Sequence, residues 1–146
     1  MKAFHKQFEV FLQENDSRYT AQKKEIVKEI LKLNYHFEVD EFVTKMREKK
    51  KNFARATVYR TIKQLFDAGM IQKITTKEGK VYYEATSDEQ HDHFICNQCG
   101  KIIEVTSPGI NELIEKECED RQFIPVYRSL HVYVNCSNEH CSKKLR

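Results

Sequence analysis

The sequence predicts an α+β protein, with an N-terminal winged helix-turn-helix domain and a smaller C-terminal α/β domain. Three observations lead to this prediction. Four helical patterns precede a β-hairpin pattern in the first half of the chain. All five cysteines lie in the second half. The first 83 residues carry 18 Lys and Arg against 11 Asp and Glu, whereas the remaining 63 carry 7 against 11, so a basic region precedes an acidic one.

The helices of the first half are predicted from apolar residues that recur at spacings of three and four. Thr20 can cap the second helix, and Gly69 can end the fourth in the left-handed backbone conformation. The first helix is expected at 2–14, and the third and fourth at about 39–49 and 54–67. The second follows Thr20 and carries an apolar stripe of Ile26, Val27, Ile30 and Leu31.

Two β-rich runs, Met70–Thr75 and Lys80–Glu84, flank the sequence Lys77-Glu78-Gly79 and predict a hairpin. Helices followed by a hairpin are the order of a winged helix-turn-helix. The second half predicts a helix at 110–120 and strands at Lys101–Thr106, Phe123–Val126 and Leu130–Val134. The predicted organisation is a winged-helix DNA-binding domain at 1–84, a hinge at 85–90 and a C-terminal metal-binding domain at 91–146.

The fourth helix carries the pattern that indicates DNA binding. A helix in the major groove reads bases with residues near its N-terminus, which here are Ala54–Arg60. Tyr59 can pack on thymine methyl groups, and Arg60 can make a bidentate contact to guanine. A solvated basic face would show the same charge, but the order of helix and hairpin favours DNA. The expected contacts are Tyr59 and Arg60 on bases, Thr57 on the same helix, Arg18 in a minor groove, and Lys73, Lys77 and Lys80 on phosphates.

The cysteines are spaced like zinc ligands. Cys96 and Cys99 have the spacing of a zinc knuckle, and Cys136 and Cys141 enclose four residues, which is within the range of zinc sites. Two thiolate pairs can close one tetrahedral site and tie the C-terminal tail to the α+β core. Cys118 stands alone on a predicted helix, where a small core residue is the simpler interpretation.

His91 and His93 lie two residues apart, just before the first cysteine pair. In an extended segment their side chains point to the same side. With His36, Glu84 and Glu104 they form a candidate five-ligand site of nitrogen and oxygen donors, which suits Fe(II), Mn(II) or Zn(II) and disfavours Cu(I). A half-buried histidine at a helix start is the alternative for His36. A structural metal beside a second site indicates a metal-sensing protein.

Three segments, Ala56–Arg60, Asp67–Gly69 and His91–Glu104, together resemble the ferric uptake regulator family of metal-dependent repressors. The resemblance extends over nearly the whole chain. It implies a homodimer joined through its C-terminal domains, a regulatory metal at the hinge, and double-stranded DNA with a palindromic operator as partner. The structural Zn(II) ligands that it implies are Cys96, Cys99, Cys136 and Cys141, and the regulatory ligands are His36, Glu84, His91, His93 and Glu104.

The branch of the family is indicated by two positions. Glu104 and Arg60 resemble the iron-responsive branch, so Fe(II) is the expected regulatory metal, for which Mn(II) or Zn(II) can substitute. The peroxide-sensing branch, which usually has Asp at the first position and often Asn at the second, is the alternative. A zinc-responsive branch would place a cysteine among the sensory ligands, and Cys118 is the one that is spare.

Some members of the family have a further metal site in the dimerisation domain. Asp92 is kept at that site, but the other expected His and Glu positions here hold Gln90, Asn111 and Arg128. We therefore expect no third site of high affinity.

Other classes of protein explain the sequence less well. His36-Phe37-Glu38 followed by Cys96 and Cys99 faintly resembles a zinc deaminase, but the second cysteine pair is then unexplained, so no enzyme is expected. A metal-storage protein would need neither the basic half nor the recognition helix. No segment is apolar and long enough to cross a membrane, and the N-terminal stretch is amphipathic. We expect a cytoplasmic protein without a membrane partner. In the cytoplasm, cysteines favour metal binding over disulfides.

Overall fold

The computed structural model describes residues 1–86 and 91–137. They fall into two compact units. The first contains Met1–Thr75 and Lys80–Thr86, and the second contains Thr76–Gly79 and the described residues that follow Thr86. Part of the predicted hinge, residues 87–90, and the C-terminal residues 138–146 lie outside the described residues. Among those described, no helix has the length and apolar character needed to cross a membrane.

The first unit contains four helices in the predicted order: α1 Lys2–Glu14, α2 Ala21–Ile30, α3 Val39–Glu48 and α4 Arg55–Asp67. The predicted caps are present. The Thr20 hydroxyl accepts a hydrogen bond from the Lys23 backbone N–H at 3.3 Å, and Gly69 follows α4 with a φ of +69°. One apolar face of each helix enters a shared core, which includes Phe8, Leu12, Ile26, Val27, Phe42, Val58 and Leu65.

The two strands of a hairpin complete the first unit, whereas the turn between them, Thr76–Gly79, is grouped with the second. Strands β1 Ile71–Thr75 and β2 Val81–Ala85 pair antiparallel, and Gly79 takes a φ of +83° in the turn between them. Ile71 and Met70 are buried against the helical core. Helices followed by this hairpin confirm the predicted winged helix-turn-helix.

The second unit is built on a three-stranded sheet of order β4-β3-β5. The central strand, β3 Asp92–Cys96, pairs antiparallel with β4 Ile102–Val105 and parallel with β5 His131–Val134. Helix α5 Pro108–Asp120 connects β4 to the segment that leads into β5. It begins two residues before its predicted start because a proline is well tolerated in the first turn of a helix. Helices and small sheets together confirm the α+β class.

The predicted strand Phe123–Val126 is wrong. These residues form no strand, and the side chains of Ile124 and Val126 are 89% and 93% exposed. Pro125 has no N–H to give to a ladder, and no strand of the described chain pairs with this segment. The apolar residues that predicted a strand therefore form an exposed surface instead.

Candidate metal centres and nucleic-acid interface

Three of the four predicted zinc ligands lie together in the second unit. The sulfur atoms of Cys96, Cys99 and Cys136 all lie within 4.8 Å of one another, and those of Cys96 and Cys136 are 3.3 Å apart. Cys96 ends β3, and Cys136 closely follows β5, which pairs with β3. Three sulfur donors are thus positioned to bind one tetrahedral ion. The fourth predicted ligand, Cys141, lies outside the described residues.

The turn after β3 favours the thiolate of Cys96. A backbone hydrogen bond from Cys99 lowers the pKa of Cys96, and burial opposes this effect more weakly. The Gln98 backbone N–H lies 3.4 Å from the Cys96 sulfur, and the Gln98 side-chain oxygen accepts a hydrogen bond from the Cys136 N–H at 2.9 Å. Gln98 therefore joins the two segments that carry the sulfurs. The thiolate is the form of cysteine that binds a metal.

One cysteine of the described residues stands apart from this cluster. Cys96, Cys99 and Cys118 are free cysteines. Cys118 lies on α5 and is not part of the cysteine cluster of the described residues.

One pair of predicted regulatory ligands meets within the first unit. Phe37 and Tyr83 form an antiparallel bridge, with N–H to carbonyl distances of 3.0 and 2.8 Å. The residues beside this bridge are His36 and Glu84, and His36 Nε2 lies 3.2 Å from a Glu84 carboxylate oxygen. Their side chains are 15% and 14% exposed. His36 is half-buried, as expected for a histidine at a helix start that binds no metal. It also contacts the Glu84 carboxylate, and such a pair of side chains can bind a metal.

The other predicted regulatory ligands belong to the second unit. In the sheet, His93 of β3 lies opposite Glu104 of β4. The rings of His91 and His93 have centroids 5.0 Å apart. His93 is fully buried, whereas Glu104 is exposed. These donors are nitrogen and oxygen atoms without a thiolate, a set that fits Fe(II), Mn(II) or Zn(II).

His131 extends this row, and the sequence did not predict it. It lies beside His93 on the other neighbouring strand, with ring centroids 5.5 Å apart. Burial and the nearby His93 lower the pKa of His131, which favours the neutral imidazole that binds metals. The alternating pattern of His131–Val134 predicts a strand, but the parallel pairing with β3 is a tertiary contact that no local pattern reveals.

The expected degraded third site also lies within the second unit. Asp92 directly precedes His93 on β3, so their side chains lie on opposite faces of the strand. Asp92 contacts Arg128, which also contacts Asn111 of α5. Gln90, the remaining position, lies outside the described residues. Asp92, Asn111 and Arg128, which occupy positions of the expected degraded site, thus lie next to one another, and Arg128 is a cation.

Helix α4 presents most of the predicted DNA contacts to solvent. Val58 and Thr61 are buried on the inner face of α4. Tyr59 and Arg60, which lie between them in sequence, face outward and are exposed. Thr57 is half-buried, and its carbonyl accepts a hydrogen bond from the Thr61 hydroxyl at 2.7 Å. The other predicted contacts, Arg18 before α2, Lys73 on β1 and Lys77 and Lys80 beyond it, are all exposed.

An acidic residue of α3 contacts the same surface. Asp40 accepts two hydrogen bonds from Arg55, at 2.8 and 3.0 Å, and one from the Tyr59 hydroxyl at 3.3 Å. The Arg55 guanidinium also lies over the Tyr59 ring, 5.2 Å from its centroid. Arg55 was not among the predicted contacts, although its place in the first turn of α4 is the signal that could have indicated it. Asp40 therefore contacts both side chains.

A sequence model of the ferric uptake regulator family matches residues 14–133. The chain belongs to this family. Members of the ferric uptake regulator family are metal-responsive transcriptional regulators and not enzymes. The zinc deaminase alternative is therefore excluded, and the resemblance that the motifs predicted is confirmed.

Individual relatives support the same assignment. The ferric uptake regulation protein of Klebsiella pneumoniae is 33% identical over 109 residues, which are 74% of this chain and 70% of that protein. The Helicobacter pylori ferric uptake regulator, described with three functional metal-binding sites, matches at 25% identity with a TM-score of 0.72, over 99% and 95% of the two chains. The Francisella tularensis regulator solved with iron matches at 32% identity with a TM-score of 0.64, over 86% and 95%.

Proposed function

We propose that this protein is a dimeric, Fe(II)-dependent repressor of transcription that binds a palindromic operator. The observation that carries the proposal is the composition of the two donor groups. His36 and Glu84 lie 3.2 Å apart in one unit, and the row in the other unit supplies imidazoles and a carboxylate. Neither group contains a thiolate, and oxygen and nitrogen donors hold Fe(II) reversibly, as a sensor of iron requires.

We propose one regulatory metal bound by His36, Glu84, His91, His93 and Glu104. Because these ligands come from two units, binding by all five restricts the orientation of one unit to the other. Such a restriction favours the dimer whose recognition helices match the spacing of two half-sites. Linkage then requires DNA to raise the affinity for the metal by the same factor as the metal raises the affinity for DNA.

The structural metal in this proposal is Zn(II) at Cys96, Cys99, Cys136 and Cys141. The clustered sulfurs and the lowered pKa of Cys96 support a closed thiolate site. We place the protein in the cytoplasm, where thiols remain reduced. A site of four thiolates leaves no open position for a substrate, so its contribution is to folding.

The homodimer is proposed to form through the second unit. Phe123, Ile124, Val126 and Tyr127 are each more than 60% exposed, and contiguous exposed apolar residues are typical of interaction surfaces. Leu113 of α5 is 59% exposed as well. A second copy of the chain covers such a patch in an isologous interface.

The test is DNA binding under anaerobic conditions with Fe(II), Mn(II) and Zn(II) at one free concentration. The probe is a DNA site selected from a random pool by the Fe(II)-loaded protein. We expect tight binding with Fe(II), and a loss of metal-dependent binding in His91→Ala. His5→Ala, which removes a histidine of α1 that contacts Tyr19, is the control. If His91→Ala without metal bound as tightly as the wild type with it, the coupling would be disproved.

Peroxide sensing is the second candidate, because imidazoles beside Fe(II) can be oxidised. Glu104 in place of Asp and the presence of Arg60 favour the iron-responsive function. Mass spectrometry of the Fe(II)-loaded protein after near-stoichiometric peroxide distinguishes the two. We expect oxidation to be confined to slow reactions of thiols. Addition of one oxygen atom to His36 or His91 would instead establish the peroxide-sensing function.

A further inference from the structure

We propose that Arg128 is a built-in cation that takes the place of a bound metal in the second unit and positions β3 and α5 without one. This proposal does not depend on which metal regulates DNA binding. It rests on three contacts. Arg128 Nε lies 3.1 Å from Asp92 Oδ1, Arg128 Nη2 lies 2.9 Å from Asp92 Oδ2, and the same Nη2 lies 2.8 Å from Asn111 Oδ1.

The burial of Asp92 shows why a cation is required here. Its side chain has no exposed surface, and that of Arg128 is 18% exposed. A buried carboxylate is strongly unfavourable unless a cation or a metal compensates its charge. The guanidinium meets both carboxylate oxygens in the two-pronged geometry that Arg forms best with a carboxylate. Both oxygens of Asp92 are thus already used by a permanent cation, and a divalent metal would have to displace it.

The position of Arg128 also suits a link between elements. Asp92 is on the central strand β3, Asn111 is in the first turn of α5, and Arg128 precedes β5. None of the residues of α5 is fully buried, and Ile110 and Ile114 are half-buried. The polar link through Arg128 therefore adds to partial apolar packing in attaching α5 to the sheet.

This link bears on the regulatory ligands through the strand. Asp92 lies between His91 and His93 in sequence, and its side chain lies on the opposite face of β3 from that of His93. Fixing Asp92 consequently fixes the backbone from which both imidazoles project. Arg128 is a positioning residue in this proposal, since its contacts with Asp92 and Asn111 act on the strand and the helix.

A metal-exchange design tests the proposal directly. The double substitution Arg128→His with Asn111→Glu replaces the cation by two metal ligands that join Asp92. Zn(II) and Mn(II) are the probes, and metal analysis after removal of loosely bound ions is the measurement. We expect about one additional equivalent of metal per chain relative to the wild type, and a thermal unfolding midpoint that falls when a chelator is added. The same double variant carrying Asp92→Asn should bind no additional metal.

The second measurement separates positioning from mere packing. Arg128→Met keeps an apolar side chain of substantial length but removes the charge, and Arg128→Lys restores a charge without the two-pronged geometry. Hydrogen exchange of α5 and β3 should be about tenfold or more faster in Arg128→Met, and Arg128→Lys should recover part of the protection. Should Arg128→Met fail to fold, the metal-loaded double variant shows whether a cation at this place restores the fold.

Two results would overturn the proposal. One is a wild-type protein that binds a further metal, beyond the structural and regulatory ones, which Asp92→Asn abolishes, because Arg128 would then not exclude that metal. The other is a double variant that gains no metal and folds no better with Zn(II) or Mn(II) present, because these three positions would then not form an alternative cation site.

Discussion

Each of the two units of this protein is stabilised internally by a different kind of interaction. A single core of 16 buried residues, all between Phe8 and Ile71, joins the helices and hairpin of the first unit. In the described part of the second unit, the buried apolar residues are Ile95 and Cys96, while the fully buried Asp92 and His93 are polar. The first unit thus has the core of a small independent domain, whereas the second has few buried apolar residues beside a sulfur cluster and a buried ion pair.

This difference has a physical basis in size and task. A small α/β unit buries too little apolar surface to offset the loss of chain entropy, so crosslinks, metals or association must supplement it. Those supplements are also the elements that metal and redox state can change. In the proposed function, the unit with the larger core carries α4, and the unit with the smaller core carries the zinc cluster.

Loss of the zinc cluster should have the largest effect and should be confined to the second unit. Cys96→Ser removes a sulfur from the cluster, and zinc binding by thiolates in small domains corresponds to about 10 kcal/mol. We expect loss of zinc and of protection from hydrogen exchange in β3–β5, with the helices of the first unit unchanged. Cys118→Ser is the control and should keep both. Full zinc content in Cys96→Ser would show that Cys96 is not a ligand.

Cavity formation in the core should give the reverse pattern. Leu65 has no exposed surface, so Leu65→Ala is expected to lower the free energy of unfolding of the first unit by about 2–5 kcal/mol. Zinc content should not change, because the cluster lies in the other unit. Phe66→Ala, at a neighbouring residue that is 44% exposed, is the matched control. A loss of zinc from Leu65→Ala in proportion to its loss of stability would mean that the two units fold as one.

Acid should destabilise the first unit through Glu29. Burial alone would raise the pKa of Glu29, but hydrogen bonds from Lys32 and Lys51 outweigh it and lower the pKa to about 2. Since this value is below that of the unfolded chain, the stabilising contribution is present above about pH 5 and is lost as the pH falls toward 2. Its upper limit is about 3 kcal/mol.

Denaturant unfolding between pH 2 and 7 measures this contribution. Glu29→Gln should flatten the pH dependence of the first unit, and Glu25→Gln, at the more exposed partner of Lys51, should change it less. A pH profile that stays as steep in Glu29→Gln would assign acid sensitivity to another group.

The smallest expected effect concerns DNA rather than folding. Arg60 is exposed on α4, so Arg60→Ala should leave stability nearly unchanged and weaken binding to the selected operator by about 1–3 kcal/mol, with relaxed preference at one base pair. Lys63→Ala, which removes a charge paired with Asp67 on the same helix, is the control. Equal weakening on random DNA would show that Arg60 contacts only phosphate.

Local patterns predicted most of the elements. The helix caps at Thr20 and Gly69, the apolar stripes and the hairpin turn depend on neighbours within a few residues, and the structure places them as expected. The strand predicted at Phe123–Val126 failed because its apolar residues are not covered by this chain. Residues that a partner covers and residues that a core buries show the same apolar pattern in a sequence.

The sequence by itself determined the order of the elements, the separation of basic and acidic halves, the spacing of the cysteine pairs and the family of the chain. These features are encoded in residues close along the chain. Only the tertiary structure placed His131 beside His93, Asp40 against Arg55 and Tyr59, and Arg128 between Asp92 and Asn111. Such contacts join residues that are distant in sequence, and parallel strand pairing and buried charge compensation are set by packing, which no short-range pattern encodes.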